Sequence, residues 1–279
     1  MAGSSDAGTP LPRDEPRAAN PPDGAFIDYV VKDPPAGPLT LGIFDAQGAL
    51  VRRYSSEDKA PAPDLGKLRV APQWIDAPAR LSTAPGMHRF VWPLRYPAPP
   101  ALAERGAEGS ATEGVWAPPG RYTVELSVNG RPQSRPLTIA ADPRVELPAE
   151  AYARQFALAR RIEEARARVA AGVAEAESLH KTLGERRTRS QGDQAKALAG
   201  LDARLLALTG PQFGEAPAGR PPDGLSSLRA LGDALARLND AVDGADAAPT
   251  PDAEAGFGTL EPAVEATVSA WNALKARAE

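Results

Sequence analysis

His88 and His180 are the only two histidines in the chain, and cysteine is absent. A zinc-type site needs three or four such ligands converging on one point. His88 falls in a stretch of β pattern and His180 in a stretch of helical pattern, so a shared two-histidine site is not expected. His88 alternates with Phe90 and Trp92, and His180 sits beside an apolar helical seam. Both read as structural or exposed side chains. Glu177-Ser-Leu-His180 is a single Glu-x-x-His, whereas a di-metal bundle site wants that motif twice with further inward glutamates. The nucleophile elbow, the zincin motif and the P-loop are all missing from the sequence. Gly256-Phe-Gly258 lacks a third glycine and a βαβ setting.

The acids and tryptophans offer the remaining chemistry. Glu163-Glu164, Glu175 and Glu177 lie on arginine-rich helical stretches. They read as solvated faces with partners four residues on, such as Glu164 with Arg168. A glycosidase needs two carboxylates facing across a cleft, and nothing in the spacing argues for such a pair. No catalytic, cofactor or metal residue is therefore assigned. Trp74, Trp92 and Trp116 all fall in the β-patterned half. Trp92 reads as a core anchor because it alternates with Phe90. Trp74 and Trp116 fall between the patterned stretches. Each has two readings, loop packing or a platform on which a sugar face could stack.

Composition narrows the function classes. Net charge is −4, with acids and bases interspersed, so no basic footprint for nucleic acid or an anionic membrane is expected. No apolar run approaches a membrane span. The first residues lack the apolar core of a signal peptide. The absence of cysteine suits either side of a bacterial membrane.

The elements that must position these residues come in two patterns. Residues 1–24 are rich in Pro, Gly and Asp and read as a tail or linker. Residues 25–32, 39–54, 89–94, 122–128 and 137–139 alternate apolar and polar residues, the period of half-buried strands. Asp45-Ala-Gln-Gly48 turns the first hairpin, and Asn129-Gly130 is a strong hairpin signal because both residues accept positive φ. Pro132 and Pro136 mark the last strand as short or at an edge. Residues 97–120 read as a long Pro/Gly/Ala loop. After Asp142-Pro143 the period changes to the helical one, with Leu158, Ile162, Ala165, Val169, Gly172, Ala176, Leu179 and Leu183 forming a seam. Three more stretches follow, centred on Leu205, Leu235 and Val264, and Pro262 is expected to kink the last or start its regular part. The spacing predicts a β-sandwich over 25–141 and an antiparallel, up-down-up-down four-helix bundle over 145–279.

The order of Asp-Ala-x-Gly hairpin, then Gly-x-His-x-Phe-x-Trp, then Pro-Gly-x-Tyr-x-Val-x-Leu resembles the Ig-like repeat of flagellar hook-capping proteins and of many bacterial C-terminal modules. From about Pro10 onward, and most specifically in GMHRFVWPLRYP and PPGRYTVELSVNG, the chain is similar to the C-terminal region of large secreted bacterial proteins. In those a sortilin-like (BNR/Asp-box) β-propeller precedes the module, and many carry a glycosyl hydrolase label. No Asp-box occurs in this chain, so the label is not transferred. The resemblance implies that the β-sandwich is Ig/FnIII-like, within a non-catalytic accessory module that docks on or stabilises a propeller in cis or trans. It also implies a periplasmic or extracellular location. Carbohydrate or peptide binding at the sandwich loops, with Trp74 and Trp116, is the alternative, and a glycoside hydrolase component is the third. No cofactor, nucleic acid or membrane partner is expected.

Overall fold

The computed structural model describes residues 23–59, 80–103, 113–211 and 227–278. They form antiparallel β-sheets followed by a packed bundle of about four helices. The contacts divide into two compact units. Residues 23–59, 80–96 and 120–139 make the β unit, and 97–103, 113–119, 140–211 and 227–278 make the helical unit.

In the β unit, β1 (Ala25–Val31) pairs antiparallel with β4 (Gly86–Trp92). A four-stranded sheet runs in the order β3 (Leu50–Ser55), β2 (Leu39–Phe44), β7 (Gly120–Val128), β8 (Arg131–Ile139). The short β5 (Arg95–Pro97) follows β4 in the chain. Alternation explains the core. Leu39, Leu41 and Ile43 point to one face and are fully buried, as are Phe90 and Trp92 from β4. Aromatic edges join the two sheets: Tyr54 meets Phe90 at 4.6 Å and Trp92 meets Tyr122 at 5.7 Å between ring centres. The indole Nε1 of Trp92 donates to the Arg95 carbonyl at 3.1 Å, so its one polar atom is satisfied.

The turns follow their residues. Asp45 Oδ1 accepts the amides of Gln47 and Ala49, and Gly48 takes φ 82°. Asn129 and Gly130 both take positive φ, 51° and 73°, as a two-residue hairpin requires. Asn129 Oδ1 also accepts the amides of Ala36 and Gly37, which adds to its hold on the turn. Strand β8 lies at the sheet edge as its prolines imply, but it spans nine residues rather than three. Pro132 and Pro136 share one parity, so the strand loses donors on one side only and the ladder to β7 persists.

The stretch 97–120 is not a plain loop. It carries α1 (Pro100–Ala103) and β6 (Glu113–Trp116), and both group with the helical unit. The helices are α2 (Ala149–Thr188), α3 (Gly192–Thr209), α4 (Leu228–Asp243) and α5 (Pro251–Ala278). Ser227 Oγ caps α4 by accepting from Ala230, and Thr250 Oγ1 caps α5 by accepting from Ala253. Pro251 then takes the first helical position, where its missing N–H costs nothing. The helix continues through Pro262 without a break.

The helix order differs from the expected alternation. Side-chain pairs tie Arg154 to Glu254, Arg161 to Glu261, Arg168 to Glu265 and Glu175 to Lys275. Both numbers rise together, so α2 and α5 run parallel. An up-down-up-down bundle would set them antiparallel. The reason is that α3 and α4 together make one descending leg. Near its C-terminal end α2 meets α3 through His180 and Asp202. Further back along α2, Glu177 pairs with Arg229 at the start of α4, and Gln155 Nε2 donates to the Val242 carbonyl at its end. Arg229 Nη1 also donates to the Gly210 carbonyl at 2.5 Å, which sets the end of α3 against the start of α4. The unit is thus three legs: α2 up, α3 then α4 down, α5 up. Gly172 lets Leu228 and Trp271 approach the α2 backbone, where a Cβ would lie 3.2 Å and 3.5 Å from them.

Candidate functional site

Trp92 is fully buried in the β core, as its alternation with Phe90 implies. Trp74 lies outside the described residues. Trp116 stands on β6 rather than in a loop, with 42% of its surface exposed. The two histidines belong to different units. His88 meets the Tyr29 ring in a tilted contact at 5.4 Å and has Nε2 2.7 Å from the Ala84 carbonyl.

The acids depart most from expectation. Glu163 is not on a solvated face but is 3% exposed. Its Oε1 accepts the Val115 amide at 3.2 Å and its Oε2 accepts from Arg160 Nη1 at 2.6 Å. Burial is the main cause that pushes its pKa up, opposed by Arg160 and the Val115 amide and reinforced by the negative charge of Asp243. Asp243, also buried, accepts the Trp116 amide on Oδ1 at 3.4 Å. Gly114 is required beneath them, because a Cβ there would sit 2.6 Å from Glu163 Oε1 and 2.8 Å from the Pro97 carbonyl. Two buried carboxylates therefore come together around β6. Both oxygens of Glu163 are already engaged by the chain's own donors, which is the arrangement of a structural anchor.

Helix pairing also corrects the expected intrahelical partners. Arg168 pairs with Glu265 of α5, not with Glu164. Its guanidinium, through a direct hydrogen bond, holds the Glu265 carboxyl below its usual range. Glu175 accepts from Trp271 Nε1 at 3.0 Å and from Lys275 at 3.1 Å. Burial acts to raise its pKa, but these hydrogen bonds together leave it lowered.

A cavity of about 390 Å³ opens beside Ala176, His180, Leu205, Thr209 and Arg229. His180 Nδ1 lies 2.5 Å from Asp202 Oδ1, with Arg187 3.8 Å from the other oxygen. That orients an imidazole. The Thr209 hydroxyl in the lining is turned back to donate to the Leu205 carbonyl at 2.8 Å. Among the described residues no group of three or more His, Asp or Glu side chains could hold a metal ion.

The outward face of the β1–β4 pair has a different character. Register sets Phe26 opposite Val91, Asp28 opposite Arg89 and Val30 opposite Met87. Phe26, Val30 and Met87 are 43%, 66% and 70% exposed. Arg89 forks onto Asp28 through two bonds of 2.7 Å and covers the Phe26 ring at 4.7 Å. The Arg89 hydrogen bond holds the Asp28 carboxyl below its usual range. The face is thus two apolar cross-strand pairs flanking a self-neutralised ion pair.

Comparison of the chain with protein-family models, with curated protein sequences and with solved structures finds no match to any of the three. No helix among the described residues is long and apolar enough to cross a membrane.

Proposed function

We propose that the chain is a non-catalytic interaction module that docks on or stabilises a β-propeller, in cis or in trans. In this reading the β unit is an Ig/FnIII-like sandwich, and the setting is periplasmic or extracellular. The choice of a propeller as partner, and of the setting, comes from the sequence resemblance. The observation that carries the docking role is the outward β1–β4 face, where Phe26, Val30 and Met87 leave apolar surface in water. Large apolar side chains left exposed together on one sheet face mark interaction surfaces. The charges on this face cancel within it, so association there needs no desolvated unpaired charge.

Titration calorimetry with a purified sortilin-like propeller tests this. Val30→Glu with Met87→Glu should weaken binding by at least about tenfold, equivalent to about 1.4 kcal/mol, with the far-UV circular dichroism unchanged. Binding unaffected by both changes would move the docking site elsewhere. Turnover of a glycoside, lost on changing one Asp or Glu, would promote the hydrolase reading instead.

The exposed ring of Trp116 favours a second reading, carbohydrate or peptide binding. Under it, Trp116→Ala and Trp74→Ala weaken glycan binding while Val30→Glu does not.

A further inference from the structure

Strand β6 is seated on the helical unit as a ligand would be. The N–H groups of successive residues in an extended chain point to opposite sides. Those of Val115 and Trp116 each meet a carboxylate, Glu163 from α2 and Asp243 from the end of α4. Val115 and Ala117 turn inward and are buried, and Trp116 turns outward. Gly114 lies against Glu163 where any side chain would collide. The recognition therefore reads backbone amides, one glycine and two small apolar side chains. None of these helix contacts depends on the segment belonging to the same chain; β6 is also hydrogen-bonded to β5 in a two-stranded sheet, a pairing that its release must break.

We propose that the α2–α4 face of the helical unit is a receptor groove for an extended peptide, filled here by the chain's own residues 113–117. Strand β6 is then an internal competitor for a partner segment of the same chemistry: glycine, a small apolar residue, an aromatic residue turned outward, and a second small apolar residue. This goes beyond the propeller-docking reading, which rests on the β1–β4 face. Two features make the internal occupant releasable. The strand is only four residues long. Its seat also brings two carboxylates out of water, which offsets part of what their hydrogen bonds contribute. A tethered competitor acts at an effective concentration of about millimolar, so the unmodified chain should resist a free peptide.

The test uses the full chain and a fluorescein-labelled EGVWAPP peptide, read by anisotropy. Gly114→Leu forces the internal strand out of its seat. That variant should bind the peptide at least about tenfold more tightly than the unmodified chain. Adding Glu163→Ala should remove about tenfold of that affinity, the effect of one charge-assisted hydrogen bond. A peptide with leucine at its second position should not bind. Equal binding to both chains, or binding indifferent to Glu163→Ala, overturns the proposal. If Gly114→Leu loses its helical dichroism, amide exchange in the unmodified chain decides. Exchange at 113–116 about tenfold faster than around Ile162 supports a releasable strand. Exchange of both together, only on global unfolding, overturns it.

Discussion

The two units bury their surface by different means. In the β unit the core is a set of alternating apolar side chains, from Leu39, Leu41 and Ile43 to Phe90 and Trp92, closed by ring-to-ring contacts. In the helical unit an apolar seam is present too, and exposed ion pairs match the arrangement along one edge. Arg154, Arg161 and Arg168 recur every seven residues on α2 and meet Glu254, Glu261 and Glu265 on α5. Then the sign reverses, with Glu175 on α2 against Lys275 on α5. An antiparallel α5 would lay like charges together at both ends of this series. The lesson is that apolar period decides which face is covered, and the charge pattern is complementary to one direction of the covering helix only.

Three changes sharpen or break that contrast. The largest effect belongs to the β unit. Trp92→Ala removes a fully buried indole and should cost about 3–5 kcal/mol, seen as a lower urea midpoint for the near-UV signal. A cost under about 1 kcal/mol would mean that the β core does not depend on its aromatic closure.

Next comes the buried acid of the helical unit. Glu163→Ala leaves the buried Val115 amide without its acceptor, and should cost about 1–3 kcal/mol at neutral pH. Glutamine at the same position separates charge from shape. The pKa of Glu163 is raised in the folded chain, so its contribution is fully present below the ordinary glutamate value of 4.5 and is lost as pH rises through the raised value. Glu175 and Glu265 are lowered, so theirs is present above that value and is lost as pH falls. Glu163→Gln should therefore remove a loss of stability that sets in above pH 4.5 and leave the acid limb intact. Parallel stability–pH curves for the two chains would show that Glu163 does not titrate across folding.

The smallest effect tests helix direction. Arg161→Glu and Glu261→Arg should each destabilise, and the double exchange should restore about 0.2–1 kcal/mol, because the pair is largely exposed. The coupling should shrink in high salt. A double variant no more stable than the sum of the singles would remove this pair from the determinants of α5 direction.

Much of the fold was legible because local chemistry repeats with the element. The period-two stretches became β1, β2, β3, β4 and β7, and Asn129-Gly130 became the turn it spells. The helical seam through Leu158, Ile162, Val169 and Leu183 is buried as its spacing implies. The sites were less legible. Glu163 stands one residue past Ile162 and looks like an exposed helix position. It is buried where β6, some fifty residues earlier in the chain, meets it and donates the Val115 amide. Trp116 read as a loop residue because four residues of strand after a Pro/Gly/Ala stretch leave almost no periodic signal.

What the sequence determined by itself is what depends on neighbours a few residues away. That covers the strand and helix periods, the turns at Asp45 and Asn129, and the apolar side of each element. Tertiary structure alone decided which distant groups share a place. It set α2 parallel to α5, put α3 and α4 into one leg, drew 113–119 into the helical unit, and left Phe26, Val30 and Met87 facing water. The physical reason is range. Sterics and backbone hydrogen bonding act over a turn of chain and are written in local spacing. Burial and ion pairing act between surfaces and exist only once those surfaces meet.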